Sequence, residues 1–224
     1  MSDPSRPILV SLFLLTVVTG IVDAASVLGL GHVFTANMTG NVVFLGFAVA
    51  GQGSTSVVAS LNALGSFTLG ALFGGRVSRT LSARAVRLAF GVEVCLLFVA
   101  AFLGLCALER ATMVLVSLLA FAMGVRNAVV RKLAVPDMTT TVLTLTITGL
   151  AADSSWAGGN NPRWRRRLLA VLMMLAGASL GAGLLPRGIG WVVGLAAVLE
   201  GVAIVVLVRH AGTLAPSTAP RPSP

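Results

Sequence analysis

Charge is scarce in this sequence. Asp, Glu, Lys and Arg make up 10% of its 224 residues, where a soluble globular chain carries roughly 25%. So few charged side chains cannot cover a water-facing surface, so a soluble domain is excluded, and a 56% apolar content with a mean hydropathy of +0.96 places the chain in a bilayer. Carboxylates are scarcer still, 7 against 16 Lys and Arg. The basic excess lies in short clusters between apolar runs, so it carries topology information and does not point to a nucleic-acid partner.

Cysteine is nearly absent too. Cys95 and Cys106 fall in one apolar run; at ~1.5 Å rise per residue they lie about 16 Å apart on a helix and cannot bridge, and they are expected as buried free thiols. The histidines His32 and His210 supply no obvious base, and no metal-ligand cluster, phosphate loop or dinucleotide fingerprint stands out. Gly177-Ala-Ser179-Leu-Gly181 matches the Gly-x-Ser-x-Gly nucleophile pattern, but that pattern needs a strand-to-helix elbow and this one sits in an uninterrupted apolar run. Neither an enzyme, a cofactor nor a metal is expected.

What is abundant is long apolar sequence. A spanning helix needs about 20 mostly apolar residues, and six runs qualify: 8–28, 57–75, 88–108, 111–130, 168–185 and 189–208. The first is too long for a cleavable secretory signal and more membrane-like sequence follows it, so it is expected to stay. Two further runs, 39–52 and 138–152, are shorter and more polar, and are either spans or half-helices.

The arginines favour half-helices. Three apolar runs separate Arg76, Arg79, Arg84 and Arg87 from Arg163, Arg165, Arg166 and Arg167, so eight crossings would place one cluster outside, against the positive-inside rule. If both doubtful runs enter and leave on one side, these clusters, Arg6, Arg126, Arg131, Lys132, Arg209 and Arg221 are all cytoplasmic, and only Arg110 and Arg187 are outside. Both termini are then cytoplasmic. Seven spans would serve the two large clusters equally well but strand Arg6. Residues 211–224, rich in proline, are expected to be a disordered tail.

An internal repeat divides the chain into about 8–108 and 111–208. An offset of 104 lays Gly20, Asp23 and Ala24 on Gly124, Asn127 and Ala128; an offset of 100 lays Asn37, Met38 and Thr39 on Asp137, Met138 and Thr139; an offset of 107 lays Gly70, Gly74 and Glu93 on Gly177, Gly181 and Glu200. Ionisable residues are rare inside membranes, so the polar matches carry the argument. Three spans and one half-helix per copy start the second copy on the opposite face, giving an all-α polytopic membrane protein of two inverted repeats, an architecture recurrent in channels and secondary transporters.

Residues 20–46, GIVDAASVLGLGHVFTANMTGNVVFLG, resemble the YoaK-like family of bacterial membrane proteins, domain of unknown function 1275. The family's Gly-x-x-Asp-Ala and Met-Thr-Gly-Asn motifs stand here as Gly20, Asp23, Ala24 and as Met38, Thr39, Gly40, Asn41, with GVRNA at 124–128 and TTTVLTLTITG at 139–149 as second-half counterparts. Members often carry Gln in place of Arg126. The resemblance implies a polytopic inner-membrane protein of about six spans with no established activity.

The candidate pathway residues are Asp23, Asn37, Thr39, Asn41, Glu93, Asn127, Asp137, Thr139, Thr140 and Glu200. Non-helical backbone at membrane depth is tolerated only where protein or a water-filled cavity satisfies it. In the first break Gly40 permits unusual angles and Thr39 can cap the half-helix that follows; Pro136, Asp137, Thr139, Thr140 and Thr141 serve the second. Asp23 within a span must pair, protonate or face water, as either a coupling group or a structural hydrogen bond. Glu93 and Glu200 pose the same choice near an interface, and Arg126 either pairs with an acid or snorkels. Gly70, Gly74, Gly177 and Gly181 fit close helix packing. The leading expectation is a small-solute transporter or channel with its pathway between the halves; the alternative is a non-transporting assembly protein whose polar groups join helices. Partners are the lipid bilayer and an unidentified small solute or ion, and homo-oligomers are compatible with the sequence.

Overall fold

A computed structural model describes residues 6–52, 56–80, 82–106, 111–133 and 143–210. Among the described residues eight α-helices follow one another: α1 (Arg6–Gly29), α2 (Met38–Val49), α3 (Val57–Val77), α4 (Ala83–Leu105), α5 (Thr112–Leu133), α6 (Leu143–Ala152), α7 (Trp164–Leu184) and α8 (Ile189–His210). Six are long and apolar enough to cross a membrane, and α2 and α6 are the two short apolar ones. No strand occurs among the described residues. Helices extend beyond the apolar runs where charge begins: α4 starts at Ala83 rather than near residue 88, because the Ser82 side chain caps it by accepting from the Ala85 amide at 3.2 Å. Arg84 and Arg87 then ride on its first turns, where long cationic side chains reach an interface.

Small residues decide which helices touch. Gly177 of α7 lies against the Val17 backbone of α1, and Gly181 lies against Ile21 and Ala24. Gly70 of α3 lies against the Phe121 backbone of α5, and Gly74 against Val125 and Ala128. These are the same contacts displaced by the repeat offsets: 17, 21 and 24 become 121, 125 and 128 as 70 and 74 become 177 and 181. Gly20 on Met174 and Ala178 likewise matches Gly124 on Phe67 and Ala71. Each half therefore packs its third helix on the other half's first, backbone to backbone.

Contact order along each pair gives direction. Helix α1 runs parallel to α7 and α3 parallel to α5, while Gly104 meets Gly190 and Ala101 meets Gly194, so α4 and α8 are antiparallel. Ile8, Leu12 and Leu15 cluster with Ala203 and Leu207, and Val86, Ala89 and Phe90 with Val125, Val129 and Val130; α1 is thus antiparallel to α8, and α4 to α5. Repeat-related spans run in opposite senses, as inverted halves require. The end of α1 and the start of α3 share one end of the bundle, and the end of α5 shares the other with the start of α7, so neither short helix is a crossing and the seven- and eight-span alternatives fall away. The arginine-rich connections, Arg6 and Arg209 gather at one end, with Arg187 at the opposite one.

Both cysteines are exposed on the bundle surface, not buried. Cys95 sits two residues beyond buried Glu93, and Leu97 and Ala100 continue that inward face, so helical periodicity turns Cys95 toward lipid.

The glycine contacts are testable. A Cβ at Gly177 or Gly70 would meet partner backbone, which cannot rotate away, whereas one at Gly183 or Gly75 meets nothing within 4 Å. Gly177→Ala and Gly70→Ala are expected to cost about 1–3 kcal/mol by overpacking. Gly183→Ala and Gly75→Ala should be neutral or slightly stabilising. Thermal unfolding of the four variants in one detergent compares them, and equal midpoints would contradict the packing.

Candidate functional site

Two polar clusters among the described residues bring the candidate site residues together. The first holds the chain's fold-back. After α1 ends at Gly29, residues 30–37 return along it, and Asp23 Oδ1 accepts from the amides of Thr35 at 3.1 Å and Ala36 at 2.8 Å. Asp23 lies six residues before the end of α1, about 9 Å inward at ~1.5 Å per residue, so α2 begins at depth. Its other oxygen accepts from the Asn37 side-chain amide. Asn41, wholly buried, accepts from the Phe34 amide at 2.9 Å and donates to the Phe34 carbonyl at 2.7 Å. Ser26 Oγ accepts from Thr35 Oγ1 at 3.3 Å. Backbone groups that no helix uses are thereby satisfied by side chains, as the bilayer demands.

Two expectations about this segment change. Asn37, not Thr39, is the N-cap residue of α2, its side chain is committed to Asp23, and Thr39 is exposed in the first turn. Gly40 is helical, and what it provides is room: the Phe34 ring lies where its Cβ would be, and that ring stacks at 6.0 Å on Phe44.

The second cluster lies where the halves meet. Arg126 of α5 donates from Nε to Glu93 Oε1 of α4 at 2.6 Å, and from Nη2 to Glu200 Oε2 of α8. Its Nη1 donates to the Leu15 carbonyl at 3.1 Å and to Thr19 Oγ1 at 3.0 Å, both on α1. All three charged side chains are 0% exposed. Four helices thus converge on one guanidinium, whose planar fork of donors suits several fixed acceptors at once. Arg126 pairs with acids and does not snorkel, and both glutamates are central rather than interfacial.

Inversion explains the meeting. Glu93 and Glu200 occupy equivalent positions of α4 and α8, which cross antiparallel at the centre. The first-half equivalent of Arg126 is Val22, so one cation serves two carboxylates. Glu93 Oε2 and Glu200 Oε1 have no hydrogen-bond partner. Asp23 lies one turn beyond Thr19, about 6 Å along α1, and its charge interacts with that of Arg126.

Toward the arginine-poor end, side chains on the outer faces of the closely packed α4 and α8 border an open apolar groove of about 540 Å³, lined by Phe98, Phe102, Leu105, Trp191, Leu195 and Val198. It faces the bilayer side of the seam whose interior holds the triad.

Among the other candidates, Asn127 is half-buried and donates to the Met123 carbonyl of its own helix at 2.8 Å. Asp137, Thr139 and Thr140, with Pro136 and Thr141, lie outside the described residues, as does the tail 211–224. Ser179 sits in the uninterrupted α7, exposed on its surface, with no elbow. Missing from the sequence reading were Thr19 and the Leu15 carbonyl. The signal for Thr19 was its place one turn before Asp23; nothing could have flagged a backbone carbonyl.

The model of the family described as "Protein of unknown function (DUF1275)" matches residues 11–206. The "UPF0700 transmembrane protein YoaK" of Bacillus subtilis (strain 168) is 39% identical over 154 residues, 67% of this chain and 68% of that one. No solved structure matches. The match over nearly the whole bundle and the relative's shared length place this transmembrane chain in the DUF1275 family.

Proposed function

We propose that the protein is a small-solute transporter or channel of the bacterial inner membrane, with its pathway between the two inverted halves. The observation that carries this reading is the wholly buried Glu93–Arg126–Glu200 triad at the junction of the halves, two carboxyl groups to one guanidinium. A cluster of three ionisable groups at the pivot of an inverted repeat is costly for a merely structural bundle, and sites at such midplane junctions serve substrates and coupling ions. Asp23, Asn37 and Asn41 anchor the half-helix beside that junction, and Glu93 and Glu200 face the pathway. A solute-uptake screen on the full chain reconstituted in vesicles tests the proposal: uptake of any small solute above protein-free vesicles supports it, and none across ions, amines, organic acids and sugars counts against it.

A specific observation favours a second reading. Each oxygen of Asp23 and the Asn41 amide are satisfied by protein groups, as expected where polar side chains only fix helices together, so a non-transporting assembly protein remains the alternative. An enzyme is not proposed, because Ser179 lacks the strand-to-helix elbow its pattern requires.

Orientation follows from the shared basic end. The positive-inside rule makes that end cytoplasmic, with the N- and C-termini on that side. In a Cys95→Ser, Cys106→Ser background, cysteines introduced at Ser82 or Gly158 should resist an impermeant maleimide applied to intact cells and react after permeabilisation. Strong labelling of either from outside would invert the topology.

A further inference from the structure

We propose that Glu93 and Glu200 hold one exchangeable proton between them, which makes the triad a proton-binding site and the proton the coupling ion of the transport pathway. The coupling part rests on the transport reading; the proton itself does not. Glu93 Oε2 and Glu200 Oε1 are buried acceptors without a donor, and the two carboxyl groups sit side by side on one guanidinium, held by its Nε and Nη2. Two acceptor oxygens brought together in a buried site are resolved by one O–H, donated by one carboxyl and accepted by the other.

Among the described residues, no other group beside the triad supplies that hydrogen. Each nitrogen of Arg126 is directed elsewhere: Nε to the far oxygen of Glu93, Nη2 to the far oxygen of Glu200, and Nη1 to α1. From α1 the facing groups are Thr19, whose hydroxyl donates to the Leu15 carbonyl at 2.9 Å, and Asp23, a further carboxylate. With both glutamates ionised the triad carries one excess negative charge; with one proton it is neutral. A metal ion would need several oxygen ligands, and no group of three or more His, Cys, Asp or Glu able to hold one occurs among the described residues.

The place of this proton suggests its work. Each glutamate belongs to one half, so the O–H···O bond ties α4 to α8 across the seam. Transfer of the proton to water leaves two carboxylates facing each other across that seam, which favours its opening, and reprotonation restores the tie. The balance is one proton bound and one released.

Infrared spectroscopy of the full chain in lipid nanodiscs reads the proton directly. The expected result is a carbonyl stretch of a protonated carboxylic acid that shifts in D2O, and that is lost in both Glu93→Gln and Glu200→Gln. Each Gln offers its amide N–H to the facing carboxylate in place of the proton. Because either variant could misfold, the unmodified protein is also grown with 13C-glutamate: the band should move, and Glu109→Gln, the remaining glutamate of the sequence, should leave it in place. Absence of the band, its indifference to 13C-glutamate, or its failure to exchange in D2O would each overturn the inference. Pyranine-loaded vesicles then separate the two claims: uptake without the band leaves transport standing and removes the proton, whereas the band without uptake or proton flux leaves the proton and removes transport.

Discussion

Arg126→Leu is expected to prevent stable folding. The substitution leaves Glu93 and Glu200 facing each other in a fully buried site, and removing one partner of a buried ion pair costs about 3–5 kcal/mol. That is comparable to the whole stability of many proteins, about 5–15 kcal/mol. The Leu15 carbonyl and Thr19 hydroxyl lose a donor as well. Size-exclusion profiles and thermal unfolding in detergent should show aggregation or a steep fall in the midpoint. Arg126→Lys should recover only part of the loss, since a single ammonium cannot reach acceptors on three helices in the guanidinium's geometry. The triple variant Arg126→Leu, Glu93→Gln, Glu200→Gln should recover more than either step alone, because two facing amides can bond to each other. A monodisperse Arg126→Leu protein with an unchanged midpoint would remove the triad from any account of this fold.

Asp23→Ala is expected to release the fold-back that starts α2. The amides of Thr35 and Ala36 and the side chain of Asn37 would lose their acceptor, at about 1–3 kcal/mol for each buried group left unsatisfied. The spans can stay packed on their glycine contacts while residues 30–37 detach. A cysteine at Ala36, which is 2% exposed in the native protein, reports this: inert to maleimide with Asp23 present, reactive in the Asp23→Ala background. Asp23→Asn should behave differently, because its remaining oxygen can accept from both amides and the Asn37 amide can turn to meet the new donor. It is expected to keep the fold and any uptake activity with an unaltered pH profile. Loss of uptake by a folded Asp23→Asn protein would instead make Asp23 a titrating member of the pathway.

Several features of the site were legible before any coordinates. Glu93 and Glu200 stood out because they are ionisable groups inside apolar runs at matched repeat positions, and inversion alone requires that such a pair approach a common axis if it lies near it. Asp23, Gly40 and Asn41 marked the first break, although their roles differ from expectation. The sequence cannot tell a cap from a tether, and only the returning loop shows that Asp23 binds backbone at 35 and 36 while Gly40 makes room for Phe34. Cys95 was misplaced for a related reason. In a helix apolar on every side, hydropathy cannot distinguish the lipid face from the protein face, since lipid and core are equally apolar.

While the helix directions removed the seven- and eight-span alternatives, the sequence by itself determined the six long apolar runs and the clustering of basic residues between them. Those depend on transfer of a stretch of about 20 residues into hydrocarbon and on the exclusion of Lys and Arg from it, quantities that add along the chain. Tertiary structure alone decided that Arg126 joins both glutamates, that it borrows α1 for its remaining acceptors, and that one oxygen of each carboxylate is left buried without a donor. These depend on how far four helices rotate about their axes and how closely they approach. That is set by side-chain interdigitation and by glycines such as Gly177 meeting Val17 and Gly70 meeting Phe121, contacts between residues more than fifty positions apart that no local pattern specifies.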